Sequence, residues 1–307
     1  MKKILHLILI SLFSFTVISC AKKSDSSSST ASTAISSGTT NSLYGITYDN
    51  STFVTVGDNG TILTSSDLTT WTSRTSGTNE HLYGVTYANS TFVVVGTSGT
   101  ILTSSDGTTW TSRTSGTSNY FAGVNYANST FVTVGESGTI LTSSDGTTWT
   151  SRTSGTSNNL NGVIYANNTF VTVGWNGTIL TSSDNGTTWT SRTSGTSNSV
   201  YRTAYANSTF VTVGEYGTIL TSSDNGTTWT TRTSGTTNTL PEVTYANSTF
   251  VTVGYSGTIL TSSDGTTWTS RTSGTTNKLY GVTYGNSTFV VVGETGTILT
   301  SSDGTTW

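Results

Sequence analysis

The segment Ser-Ser-Asp-(Asn)-Gly-Thr-Thr-Trp recurs seven times, whole or in near variants, and this recurrence limits the fold more than any single residue does. Aligned on their acids, the copies place Asp67, Asp106, Asp145, Asp184, Asp224, Asp264 and Asp303 at steps of 39, 39, 39, 40, 40 and 39 residues. The two longer steps come from the extra Asn in the copies that begin at Ser182 and Ser222. A constant period of this length marks stacked supersecondary units, each of which buries its apolar surface only against a neighbour.

One unit, read from Leu82, is LYGVTYANSTFVVVGTSGTILTSSDGTTWTSRTSG. Four β-prone runs (LYGVTY, TFVVVG, GTILTSS and TTWTSRTS) are separated by Asn-, Ser- and Gly-containing turns. Four short strands per unit of about 40 residues predict a propeller blade. The fold class is therefore all-β: a seven-bladed β-propeller of four-stranded antiparallel blades. Phe92, Val93, Val95, Ile101 and Leu102 are expected to meet neighbouring blades on both sides, and the Ser-, Thr- and Arg-rich fourth strand suits an outer edge. The seventh unit stops at Trp307, short of its fourth strand, while Ser37-Gly38-Thr39-Thr40-Asn41 repeats the SGTTN found directly after fourth strands elsewhere. Residues from about Ser32 to Ser37 are thus expected to complete the last blade and close the ring, as a linear solenoid would not require.

The beginning of the chain differs in character. Lys2 and Lys3 precede an apolar run that ends in Val17-Ile18-Ser19-Cys20, and no other cysteine is present for an intrachain disulfide. That ending resembles the lipobox of bacterial lipoproteins. The resemblance implies a signal peptide over 1–19, lipidation of Cys20, a Ser-rich tether over 20–31 and a propeller over 32–307. Ala21 in place of Asp implies an outer-membrane or cell-surface location in the bacterial envelope rather than the inner membrane. An ordinary secretory signal is the alternative. Without the signal, ten Lys and Arg face fifteen Asp and Glu, and no basic stripe exists, which disfavours nucleic acid. A monomer attached to the membrane only through its lipid is expected.

Ser182-x-Asp184-x-Gly186-x-Thr188-Trp189 resembles the S-x-D-x-G-x-T-W pattern of Asp-box, or BNR, repeats. The likeness covers nearly all of the chain beyond the leader. Among Asp-box propellers, which include bacterial sialidases and sortilin-type receptors, the layout is most similar to the photosystem II assembly factors. The resemblance implies that the seven acids are structural. In such a turn Asp accepts backbone N–H bonds, Gly supplies a positive φ, and Trp packs on the blade. Leu68 replaces the Gly in the first copy, so strain or a different turn type is expected there.

Catalytic constellations are sparse. A sialidase needs three converging arginines, a Tyr/Glu pair and a free Asp. Six of the seven arginines (Arg74, Arg113, Arg152, Arg192, Arg232 and Arg271) share one position in the outer strand, leaving only Arg202 out of register. His81 is the sole histidine beyond the leader, so a His-based metal cluster is not expected, and no cofactor or metal is implied. A Ser–His–Asp triad through His81 stays open on composition alone.

Positions common to all copies are explained by the blade, so individual character belongs to those that differ. These are the turn between second and third strands (Asp58-Asn59, Thr97-Ser98, Glu136-Ser137, Trp175-Asn176, Glu215-Tyr216, Tyr255-Ser256 and Glu294-Thr295) and the connector into each first strand. The connector residues include His81 and Tyr83, Tyr120 and Phe121, Asn159 and Asn161, Tyr201 and Arg202, Pro241 and Glu242, and Lys278 and Tyr280. Both regions belong to one face of an up-and-down propeller, opposite the Asp turns. The candidate binding residues are Trp175, Tyr216, Tyr255, Glu136, Glu215, Glu294, Tyr120, Phe121, Arg202 and His81. The expected function is a non-catalytic scaffold or adhesion module for an unidentified protein or glycan. A glycan-active hydrolase and an architectural repeat without a ligand are the alternatives, and drift at surface turns is the competing account of the variation.

Overall fold

Residues 35–307 are described by a computed structural model. The expected signal peptide, Cys20, the tether and residues 32–34 of the closing strand lie outside them. In the first blade Leu43–Asp49, Thr52–Gly57, Ile62–Ser65 and Thr72–Arg74 pair in chain order as an antiparallel sheet, and five further blades repeat this arrangement. The seventh sheet has three strands, Leu279–Gly285, Thr288–Gly293 and Ile298–Ser301. First strands of successive blades approach one another around the centre, and Leu43–Asp49 meets Leu279–Gly285 to complete the circle. All-β architecture and seven blades are as the repeat predicts.

The fourth strand is shorter than its sequence run: only Thr-Ser-Arg or Thr-Thr-Arg pairs in each of the first six blades. In the seventh, Ile35 takes the place of that arginine, its N–H donating to the Ile298 carbonyl at 3.2 Å. The Ser37 hydroxyl then bonds the Thr39 carbonyl as Ser76 bonds that of Thr78. This joins the two ends of the described chain across one blade.

Alternation of apolar residues does not survive in the second strand, because both of its faces are covered by neighbouring blades. In Thr52–Gly57 every residue after Thr52 is buried. The apolar side chains form seven clusters, one at each junction between successive blades. The last of these sets Val290, Val292 and Ile298 of blade 7 against Leu43, Phe53 and Leu63 of blade 1. Thr55 at the middle of its strand is fully buried, and its hydroxyl donates to the Gly45 carbonyl at 2.9 Å, which removes the cost of an orphaned polar group. At the seam, Gly285 stands where five other blades have Ala, because a Cβ there would strike the Tyr48 ring of blade 1.

The seven acidic turns join third and fourth strands. Asp145 Oδ1 accepts the N–H groups of Thr147 and Thr148 at 2.8 and 3.0 Å, and the Ser143 hydroxyl at 3.0 Å. These donors hold Asp67, Asp184 and Asp224 down at about 2, with backbone N–H bonds the largest cause, and keep the other four below the ordinary carboxylate range as well. Leu68 adopts φ +65°, close to the +72° of Gly107 at the same place. The turn type is therefore kept and the strain accepted, with the Leu68 side chain buried in the cluster between blades 7 and 1. The extra residues Asn185 and Asn225 accept amide bonds from Asn128 and Asn167 of the preceding blades. The Asp turns and the Ala-Asn-Ser turns thus share one face.

Candidate binding face

The opposite face is built by the variable turns and the connectors. In six of the blades the turn between second and third strands is a single 3-10 turn, and in all seven its second residue is left-handed; Tyr216 has φ +52° there. The first turn residue donates its N–H to the connector, as Asp58 does to Ser42 O at 3.0 Å and Glu215 to Ser199 O at 2.9 Å. Turn and connector are therefore locked together on one side of the ring, as the repeat pattern predicts.

A β-bulge aims the next residue into the mouth of the channel. Leu43 pairs with Gly57 and Gly45 with Val56, so Tyr44 is the extra residue between them. The same irregularity falls at Tyr83, Ala122, Asn161, Tyr201 and Tyr280. A bulge of this kind re-aims its side chain out of the sheet's alternation. The consequence is an arc of tyrosines: Tyr44 lies 5.3 Å from Tyr83 and 5.1 Å from Tyr280 between ring centroids. Tyr120 extends the arc beyond Tyr83 at 6.2 Å, and Tyr255 extends it beyond Tyr280 at 6.0 Å. Burial, aided by a 2.7 Å bond from Tyr44 to Asp58, raises the Tyr44 hydroxyl well above the usual phenol range. Tyr201 is raised likewise by burial and its 2.9 Å bond to Glu215, and Tyr280 is pushed up to about 12. These phenols stay protonated at any physiological pH.

Beneath the arc the channel is narrow because backbones crowd it: a Cβ on Gly45 would come within 2.7 Å of the Tyr83 carbonyl. Two adjacent blades replace that glycine with Arg202 and Glu242. Their side chains pair at 3.3 Å. The Arg202 guanidinium also donates to the carbonyls of Ala122 at 2.8 Å, Tyr201 at 3.1 Å and Asn161, bracing blade 5 against blades 3 and 4. Burial pushes Glu242 up to about 7, against the pull of Arg202.

The structure distributes the candidate residues unevenly. Trp175 and Tyr216 project outward with 47% and 71% of their surface exposed. Tyr255 instead turns toward Tyr280, so the three aromatics do not form one patch. Glu136, Glu215 and Glu294 accept the connector N–H groups of Tyr120, Ser199 and Lys278 at 3.2 to 3.3 Å, fixing the connectors. His81 Nδ1 donates to Asp58 at 2.8 Å, so Asp58 receives both His81 and Tyr44. Phe121 is a correction: it is fully buried at the core position held by Leu43 and Leu82 in other blades, and presents nothing to a ligand. Arg202 is committed within the channel, not displayed on a connector. The six other arginines each bond a Thr of the third strand, Arg152 to Thr142 at 2.8 Å, and stay at the rim.

Tyr44, Asp58 and Glu242 belong to this face and its channel, and sequence reasoning left them out of its candidates. The signal was available: the position after the first buried apolar residue is Tyr in four of the seven units, and two neighbouring glycines become an Arg and a Glu. Open concavities of about 590 to 860 Å³ also run around the outer rim. They are lined mainly by the Ser, Thr, Gly and Asn common to every copy, so they repeat the blade rather than distinguish any part of it. No group of three or more metal-ligating side chains occurs among the described residues.

No protein-family model matches the chain, and no curated relative does. Solved structures share its fold. YCF48 from Cyanidioschyzon merolae is 18% identical with a TM-score of 0.71, over 88% of this chain and 98% of that one. YCF48 bound to D1 peptide is 18% identical with a TM-score of 0.73, over 87% and 95%. A catalytically inactive virginiamycin B lyase from Staphylococcus aureus, with quinupristin, is 11% identical with a TM-score of 0.78, over 87% and 97%. At such identities the likeness establishes the propeller and nothing finer.

Proposed function

We propose that this chain is a non-catalytic scaffold of the bacterial envelope, held to a membrane by lipid on Cys20, that binds a protein partner through the face carrying the tyrosine arc. The carrying observation is the concentration of most differences between copies on one face, where the tyrosines among them form a connected arc of rings around the channel mouth. Random drift would change the Asp-turn face as often, yet its departures are few, among them Asp49, Leu68, Asn168, Gly285 and the inserted Asn185 and Asn225. Resemblance to Asp-box propellers accounts for that constancy, and the peptide named with one YCF48 structure supports a peptide or protein as the class of partner. A glycan fits less well. Sugar stacking needs open ring faces, whereas these tyrosines meet one another at 57° to 88° and cover each other's faces.

The test is capture from an envelope extract by purified protein and by the Trp175→Ala, Tyr216→Ala, Tyr255→Ala triple variant. The variant should lose the captured partner while its melting temperature stays within a few degrees of wild type. Undiminished capture would remove this face from the reading. The His81–Asp58–Tyr44 chain favours a second reading, acid–base chemistry at the mouth, with Asp58 orienting an imidazole that is 46% exposed. Turnover in a hydrolase and lyase substrate screen that disappears in His81→Ala would establish it.

A further inference from the structure

The charge on the binding face is lopsided. It carries the carboxylates Asp58, Glu80, Glu136, Glu215, Glu242 and Glu294, one from each blade except the fourth. Its permanent cations are Arg202 and Lys278, and Arg202 is consumed by Glu242 and three carbonyls. Lys278 shows what the remaining surface accepts. Its ammonium lies 5.3 Å from the centroid of the Tyr255 ring and 3.8 Å from Glu294. A cation over a tyrosine face beside a carboxylate is favourable because the ring quadrupole and the acid act together. The chain thus seats one of its own ammonium groups on this face; Glu242 is taken by Arg202 and Asp58 by His81, while Glu80, Glu136 and Glu215 have no cation opposite them among the described residues.

We propose that the face takes a lysine- or arginine-rich peptide segment, with cationic side chains set against the tyrosine arc and the flanking carboxylates. This rests on the reading of the face as a protein-binding surface and names the chemistry of its partner. The spacing of the acids favours a segment over a small amine. Glu80, Glu136, Glu215 and Glu294 are spread around the mouth over four blades, so one ammonium reaches only a fraction of them and a chain of several cations reaches more. The attraction is electrostatic at partly exposed sites, so it weakens as salt shortens the screening length from about 10 Å at 0.1 M to about 3 Å at 1 M.

The experiment is fluorescence anisotropy with a labelled (Lys-Gly)4 peptide at low salt, compared with (Ser-Gly)4 and (Glu-Gly)4 peptides and with spermine as competitor. The full chain should bind the lysine peptide and neither of the others, and should lose it at 1 M salt. Glu136→Gln with Glu294→Gln should weaken binding about tenfold. Those two glutamines retain carbonyl oxygens for the connector N–H groups, so folding is checked by an unchanged melting temperature. Lys278→Ala should tighten binding by about threefold, because it clears Tyr255 and frees Glu294. A role for Lys278 in folding alone has no reason to produce such a gain. Equal binding of the three peptides, spermine matching the lysine peptide, or a Lys278→Ala protein that binds no better than wild type would overturn the proposal. If the lysine peptide fails while the triple variant still loses its captured partner, the cation inference falls and the face stands. If capture survives the triple variant, the face itself falls.

Discussion

Replacing Glu242 by Gln isolates an acid whose titration opposes folding near neutral pH. Its carboxyl is raised from 4.5 to about 7. Between those values the folded chain holds a proton that the unfolded chain has released. Stability from this group is therefore fully present below about pH 4.5 and is lost as pH rises toward 7. The displacement corresponds to about 3 kcal/mol. The side chain is 22% exposed, toward the channel, so the figure is little reduced by solvent. The substituted amide cannot titrate, and its oxygen can still accept from Arg202. At pH 5 the variant and wild type should melt within about 3 °C of each other. At pH 8 the variant should melt higher by roughly 6 to 12 °C, at about 2 to 4 °C per kcal/mol for a domain of about this size. Thermal melts followed by near-ultraviolet circular dichroism at both pH values provide the assay. Equal slopes between pH 5 and 8 would refute the burial argument.

Three other perturbations test separate parts of the structure. The turn acids are drawn down by backbone N–H donors, so their stabilisation is present above about pH 4 and lost as pH falls toward 2. Melting temperatures should drop across that range, and a protein with Asp184→Asn and Asp224→Asn should drop less steeply. Gly285→Ala should cost about 1 to 3 kcal/mol in urea unfolding through overpacking against Tyr48, whereas Ala246→Gly at the same place in blade 6 should cost less. In a bacterium expressing the chain, Cys20→Ser should move the protein from the membrane to the soluble fraction; unchanged fractionation would exclude the lipid anchor.

The propeller was legible because each unit states its strands and turns seven times, and the blade junctions need only the apolar positions that recur with them. The division into two faces came from the same count, since alternate turns of a meander lie on opposite sides. Radial position was not legible. Phe121 and Tyr120 are neighbours in a variable connector, yet one is core and the other rims the channel, because successive side chains point to opposite sides ahead of the bulge at Ala122. The same bulge hid the tyrosine arc, whose members are distant in sequence and meet only when the ring closes. The Arg202–Glu242 brace was hidden for a related reason: it depends on how closely the first strands approach, which the glycines at the other blades disclose only in three dimensions.

Site-specific photocrosslinking tests the central claim, that partners dock on the variable face and the acidic turns only build blades. A benzophenone side chain at position 216 on the variable face, or at 148 on the Asp-turn face, is illuminated in envelope extract. Both positions are exposed and neither belongs to the core. The account expects a discrete adduct from position 216 and none from 148. An adduct from 148 alone, or the same adduct from both, would contradict it.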